Sequence, residues 1–202
     1  ALQHETPAGR NLDHELLADV LRDVLQRQRR HREASRMLTI PAMDRDPAHK
    51  LRITARLPWA EGRDTLLAQT RLADATLRAA AYPLLIACAA AERDPALFAG
   101  FLEEDLTRIR NEQDPVRQPT LRALAQTAPA LFDGRAVAAL TRLATDAVEV
   151  RDVSVASLSA VRQLARRVLV HHADSGDAAL PQWCLDTLGQ VEGGSDLSLI
   201  TL

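Results

Sequence analysis

An all-α fold built from stacked two-helix modules is what this sequence predicts, and three observations lead there. The first is an internal echo. Pro95-Ala96-Leu97-Phe98-Ala99-Gly100, running on to Leu106-Thr107-Arg108-Ile109, returns 34 residues later as Pro129-Ala130-Leu131-Phe132-Asp133-Gly134 and Leu140-Thr141-Arg142-Leu143. Only three Phe occur in 202 residues, and two of them align in this match. The second is composition: 47% of the chain is hydrophobic but only 3% aromatic, so Ala, Leu and Val must make the core, which suits close helix packing. The third is punctuation. Asp46-Pro47, Asp94-Pro95 and Asp114-Pro115 each place a capping carboxylate before a Pro at the first helical position, where its missing amide costs nothing. Alternating Val/Ile/Thr runs joined by Asn-Gly turns are missing. A copied supersecondary unit in an Ala/Leu-rich chain points to a repeat array.

The elements follow in order. Asn11 to about Ala34 reads as one long helix whose stripe is Leu16, Leu17, Val20, Leu21, Val24 and Leu25, suited to cap an array. Residues 36–46 read as a loop or short turn. The first helix pair is 48–57 with 63–72, the second 75–91 with 95–111, the third 115–127 with 130–145, and the fourth 152–173 with 178–191. The fourth is joined to the first by Leu180-Pro181, Trp183 and Asp186-Thr187-Leu188, which match Leu57-Pro58-Trp59 and Asp64-Thr65-Leu66. In the second pair the spacing puts Leu77, Ala81, Tyr82 and Leu85 on one helical face. The division is therefore 1–46, an N-terminal helix and connecting loop; 47–192, an array of about four pairs; and 193–202, a tail or severed junction after Gly193-Gly194. The chain starts at Ala1 rather than Met, which fits a piece of something larger.

Asp114-Pro115-Val116-Arg117, inside a helix–turn–helix unit of this length, resembles the HEAT-repeat family, and Asp74 with Leu77-Arg78 and Asp146 with Val150-Arg151 fit the same pattern. The resemblance covers roughly residues 47–192. It implies a right-handed α-solenoid of antiparallel helix pairs whose second helices line a concave face where partners commonly bind. It also implies a structural ladder of Asp74, Arg78, Asp114, Arg117, Asp146 and Arg151, in which each Asp caps a helix and each Arg reaches an acid in the neighbouring unit. The tetratricopeptide signature of Trp, Gly and Tyr, which shares the period, is not present.

A second set, Arg71, Arg108 and Arg142, follows a Thr in each second helix and forms a candidate stripe for a carboxylate or phosphate partner. Other charged groups read as structural. The run Arg22, Arg27, Arg29, Arg30, His31, Arg32 and Arg36 is taken as a solvated helix end whose charges point all around the helix, with no aromatic interleaved for base stacking. Glu103-Glu104-Asp105 reads as exposed charge, His171-His172 as a helix-end pair that cannot chelate one ion, and Trp59 and Trp183 as packing residues.

Function classes narrow accordingly. A formal charge of −2 gives no global attraction to nucleic acid or an anionic membrane. Two isolated Cys make neither a disulfide framework nor a zinc site, and no cofactor is implied. The apolar run Ala79–Ala91 contains Pro83 and falls short of a membrane span. No GxSxG, Walker loop, dinucleotide Gly fingerprint or HExxH appears. The expectation is a cytoplasmic, non-catalytic scaffold or adaptor that binds a protein or peptide, or continues into further repeats of the same chain. The competing reading is a HEAT-like enzyme of the bilin-lyase or DNA-glycosylase kind, or a nucleic-acid-binding array; an enzyme would use Asp64, Asp186, Trp59 and Trp183.

Overall fold

The computed structural model describes residues 24–176 and 178–197, without the side chains of 193–197. Residues 11–23 of the expected N-terminal helix, with Leu16, Leu17, Val20 and Leu21, lie outside the described residues, as do 198–202 of the tail. The described residues are all-helical, with no strand among them. Contacts divide the chain into two compact units, Ala1–Leu57 and Pro58–Leu202. The residues expected to form the first helix pair therefore fall in different units.

In the first unit, residues 24–38 are helical (α1) and lead through a 3-10 turn at Pro41–Arg45 into α2 (Pro47–Thr54). Helix persists past residue 36, where a loop is expected. Asp46 caps α2 by accepting from the His49 amide at 2.9 Å, with Pro47 in the first turn. Ala34, Met43, Ile53 and Leu57 are the buried cluster, with Met37 and Leu38 packed against it.

The second unit begins with α3 (Trp59–Gln69), followed by α4 (Ala75–Ala91), α5 (Pro95–Glu104), α6 (Asp114–Gln126), α7 (Val137–Glu149), α8 (Val155–His172) and α9 (Ala179–Leu197). Its packing runs in two series. Helix α4 contacts α6, and α6 contacts α8; α5 contacts α7, and α7 contacts α9. The series are joined through α4 with α5, α7 with α8 and α8 with α9, while α3 lies on α4. Asp114 meets Ser157, Ala125 meets Arg167 and Pro129 meets His172, so the pairing order shows that α6 and α8 run parallel.

Several starts follow the expected chemistry. Asp74 caps α4 through the Thr76 and Leu77 amides at 2.7 and 3.3 Å, and Asp94 caps α5 through those of Ala96 and Leu97. At the head of α3, Pro58 has no capping side chain, and the Trp59 amide instead donates to Glu92 at 2.6 Å. Helix α4 buries Ala81, Tyr82, Leu85 and Ile86, but Leu77, expected on that face, is half exposed.

The repeated motif diverges in backbone. Pro95–Glu104 is α-helix, whereas Pro129–Leu131 is one 3-10 turn, Phe132 is extended, and Gly134–Ala136 is another 3-10 turn. The helix expected at 130–145 thus starts at Val137. Two substitutions in the copy explain this. Ala128 replaces the cap Asp94 and offers no side-chain acceptor, so the helix is not started before Pro129. Asp133 replaces Ala99 and accepts from the Arg135 amide at 3.0 Å, which moves the cap to the middle of the motif. Asp competes with helical hydrogen bonding when it sits inside a helix and supports it when it sits at the start.

Candidate interaction surface and its arginine ladder

The first series of helices is tied by two guanidinium rungs. Arg78 in α4 forks onto Glu112, just before α6, with Nε to Oε1 at 2.9 Å and Nη2 to Oε2 at 2.8 Å. Its remaining Nη1 donates to the Leu72 and Ala73 carbonyls. Arg117 in α6 is buried; it reaches Asp152 ahead of α8 at 2.6 Å and the Glu112 carbonyl at 2.8 Å. The partners are 34 residues apart in the first rung and 35 in the second. The largely desolvated, bidentate Arg78–Glu112 pair fixes register, because leaving either charge buried alone is costly, whereas the Asp152 end of the second rung is half exposed.

Asp114 serves the same seam differently from expectation. It is the first residue of α6, whose N-cap is Gln113. Its carboxylate accepts from the Ser157 hydroxyl at 2.6 Å and the Ser154 amide at 3.4 Å, both at the head of α8. Burial alone would raise its pKa, but the bonds from Ser157 and Ser154, helped by Arg117, hold it below the usual carboxylate range. Asp152 is likewise lowered, by the Asp114 amide first and the Arg117 guanidinium second.

The third expected rung does not form. Asp146 lies inside α7, Arg151 is exposed in the turn after it, and Ser154 caps α8 by accepting from the Ser157 amide. A fixed 34-residue offset fails here because the α6/α8 partners are not evenly spaced: 35 residues separate Arg117 from Asp152 and 40 separate Asp114 from Ser154. The acceptor for the preceding Arg is Asp152, which the offset does not reach.

The second set of arginines is not a set of equivalents. Arg71 lies in the turn after α3, Arg108 in the 3-10 turn Thr107–Asn111, and Arg142 within α7. Helix α3 stops at Gln69 because the buried Thr70 turns its hydroxyl back onto the Leu67 carbonyl at 2.8 Å. Arg142 is ion-paired with Glu103 of α5, whereas Arg71 and Arg108 are exposed. The acidic triplet is also more than solvated charge. Asp105 is buried and takes both prongs of Arg63 from α3, at 2.9 and 2.7 Å. Those partners lie 39 and 42 residues away, too far for local spacing to reveal.

Two grooves follow the second series. One of about 50 Å³ lies between α5, its trailing 3-10 turn and α7, with Leu106, Arg110, Arg142 and Asp146 on its walls. The other, about 260 Å³, lies between α7 and α9, lined by Thr141, Ala144, Gln182, Trp183, Asp186 and Gln190. The Trp183 indole N–H is buried with no partner among the described residues, and Gln182 donates to Asp186 at 2.8 Å. Trp59 instead packs edge-on against Phe101 at 5.5 Å, with the Arg63 guanidinium 5.9 Å from its ring centre. The two Trp are not equivalent, because Trp59 opens α3 while Trp183 lies a turn inside α9. Asp64 is exposed and meets Arg63 at 3.3 Å. Helix α3 packs on α4 whereas α9 packs on α7 and α8, so the structure does not assemble Trp59, Asp64, Trp183 and Asp186 as one cluster.

His171 and His172 stack edge to face at 4.7 Å, and His172 Nε2 lies 3.2 Å from the Pro129 carbonyl. Both Cys are buried, which pushes the Cys88 thiol up to about 12 and that of Cys184 up to about 11. Among the described residues no helix is long and apolar enough to cross a membrane. No protein-family model matches the chain, and neither the curated proteins nor the solved structures yielded a significant match.

Proposed function

We propose that residues 58–197 are an α-solenoid of HEAT-like modules acting as a non-catalytic, cytoplasmic scaffold that presents α5, α7 and α9 to a protein or peptide. The supporting observation is the α7/α9 groove, where apolar and hydrogen-bonding walls converge beside the Trp183 indole, whose N–H has no partner among the described residues. Convergent polar groups on an apolar wall are the usual make-up of a recognition site. Because helices hold the walls in place, little ordering entropy is lost on binding. Arg142 borders the neighbouring groove and would exchange its pairing with Glu103 for an acidic partner, with the exposed Arg71 and Arg108 adding positive charge.

Selection of peptides from a displayed random library on the full chain tests this reading. Enriched peptides should lose at least about tenfold in affinity, or about 1.4 kcal/mol, when Gln190→Arg and Thr141→Arg block the groove. The triple change of Arg71, Arg108 and Arg142 to Glu should weaken acidic peptides further. Failure to enrich any peptide, or enrichment of peptides indifferent to all five substitutions, would refute the proposal.

A further inference from the structure

The net charge of the chain conceals an uneven distribution. Residues 24–57 carry nine basic side chains against three acidic ones, while residues 58–202 carry 14 against 19. Residues 1–23 add two basic and five acidic side chains. The three acids of 24–57 are all engaged: Glu33 with Arg36, Asp44 with Lys50, and Asp46 as the cap of α2. Arg29, Arg30, Arg32, Arg45, Arg52 and Arg56 have no acid partner among the described residues, and all but Arg30 are exposed.

The helix orders part of this surplus. At 100° per residue, Arg29, Arg32 and Arg36 fall within about 60° of one another. Ala34, which is 2% exposed in the unit's core, lies nearly opposite. The charges of the run therefore do not all diverge: three guanidiniums form a stripe facing away from the core. The Arg36–Glu33 pair is more than half exposed on both sides, so a competing anion can displace it at little cost.

From this arrangement we infer that the Arg29–Arg32–Arg36 stripe of α1 is a docking site for the phosphate backbone of duplex nucleic acid. This rests on the first unit alone and is independent of the scaffold reading. Guanidiniums match phosphate oxygens bidentately, and a helix edge carrying several of them suits a regularly charged polymer. No Phe, Tyr or Trp occurs in 24–57, which removes the stacking platform a single strand requires. Among residues 24–57 the large exposed apolar side chains are Leu25 and Ile40, which make no apolar face along the described part of α1.

The test is fluorescence anisotropy of the full chain with a labelled random-sequence duplex, in DNA and RNA versions, titrated from about 50 to about 200 mM salt. The wild type should bind both duplexes, with affinity falling steeply as salt rises. Arg29→Gln/Arg32→Gln/Arg36→Gln should lose at least about tenfold at low salt and flatten the log–log salt slope by about two to three. The single exposed change Arg32→Gln, checked by circular dichroism, should flatten it by about one and guards against misfolding of the triple variant. Replacement of all three by Lys should retain most of the slope. No duplex binding by the wild type, or an unchanged slope in the folded variants, overturns the inference. So does binding to vesicles rich in phosphatidylserine, or to polyglutamate, in preference to the duplex.

Discussion

Phe98 and Phe132, the aligned Phe of the two motif copies, meet edge to face at a centroid separation of 5.4 Å and an interplanar angle of 87°. Both are fully buried. A repeat in sequence has become a contact in space, although one Phe sits in an α-helix and the other in an extended link. Position in the core is conserved between the copies while the local backbone is not.

That contact predicts coupled losses. Phe98→Ala and Phe132→Ala should each cost about 3–5 kcal/mol in urea unfolding, since each leaves a cavity. The double change should cost less than the sum by about 0.5–1.5 kcal/mol, the worth of an aromatic pair. Full additivity would mean that the rings do not touch.

Asp133 predicts a smaller, local effect. Asp133→Ala should cost about 1 kcal/mol by removing the cap that restarts the helix before α7. Hydrogen exchange should rise first at the Arg135 amide, which donates to this carboxylate. Unaltered exchange there would reject the capping role.

Acid stability follows from the seam between α6 and α8. The folded Asp114 carboxyl titrates below its unfolded value, so its bonds to Ser157 and Ser154 stabilise the fold above about pH 4 and are lost as pH falls through the folded value. Asp114→Asn should therefore lessen the loss of stability between about pH 5 and about pH 2, as read by urea midpoints. An acid response identical to the wild type would show that Asp114 is not depressed.

The thiols give a direct readout of opening. Burial raises both, to about 12 for Cys88 and about 11 for Cys184, so at pH 8 neither supplies much thiolate. Ellman's reagent should leave the native protein unmodified over minutes and react with both thiols on unfolding. A thiol that reacts rapidly without unfolding would contradict the buried placement of α4 or α9.

Much of the helix layout was legible because it rests on local chemistry. Asp46, Asp74 and Asp94 cap the helices they precede, and the spacing of Ala81, Tyr82 and Leu85 locates the buried face of α4. Local spacing failed where partners are distant or the separation between them departs from 34 residues. Glu112, Asp152 and Asp105 carry the rungs, yet nothing beside them in sequence identifies the guanidinium each receives. The arginine stripe of α1 was present in the sequence. It becomes visible once Ala34 marks which side of the helix is buried.

The seam between α4 and α6 is held by an arginine of one helix and an acid just ahead of the other, and a double-mutant cycle on Arg78 and Glu112 is its sharpest check. Unfolding free energies of Arg78→Ala, Glu112→Ala and the double variant should show a coupling of at least about 1.5 kcal/mol, as befits a charge-assisted bond with little exposure. A coupling below about 0.3 kcal/mol, the ordinary error of additivity, would contradict it.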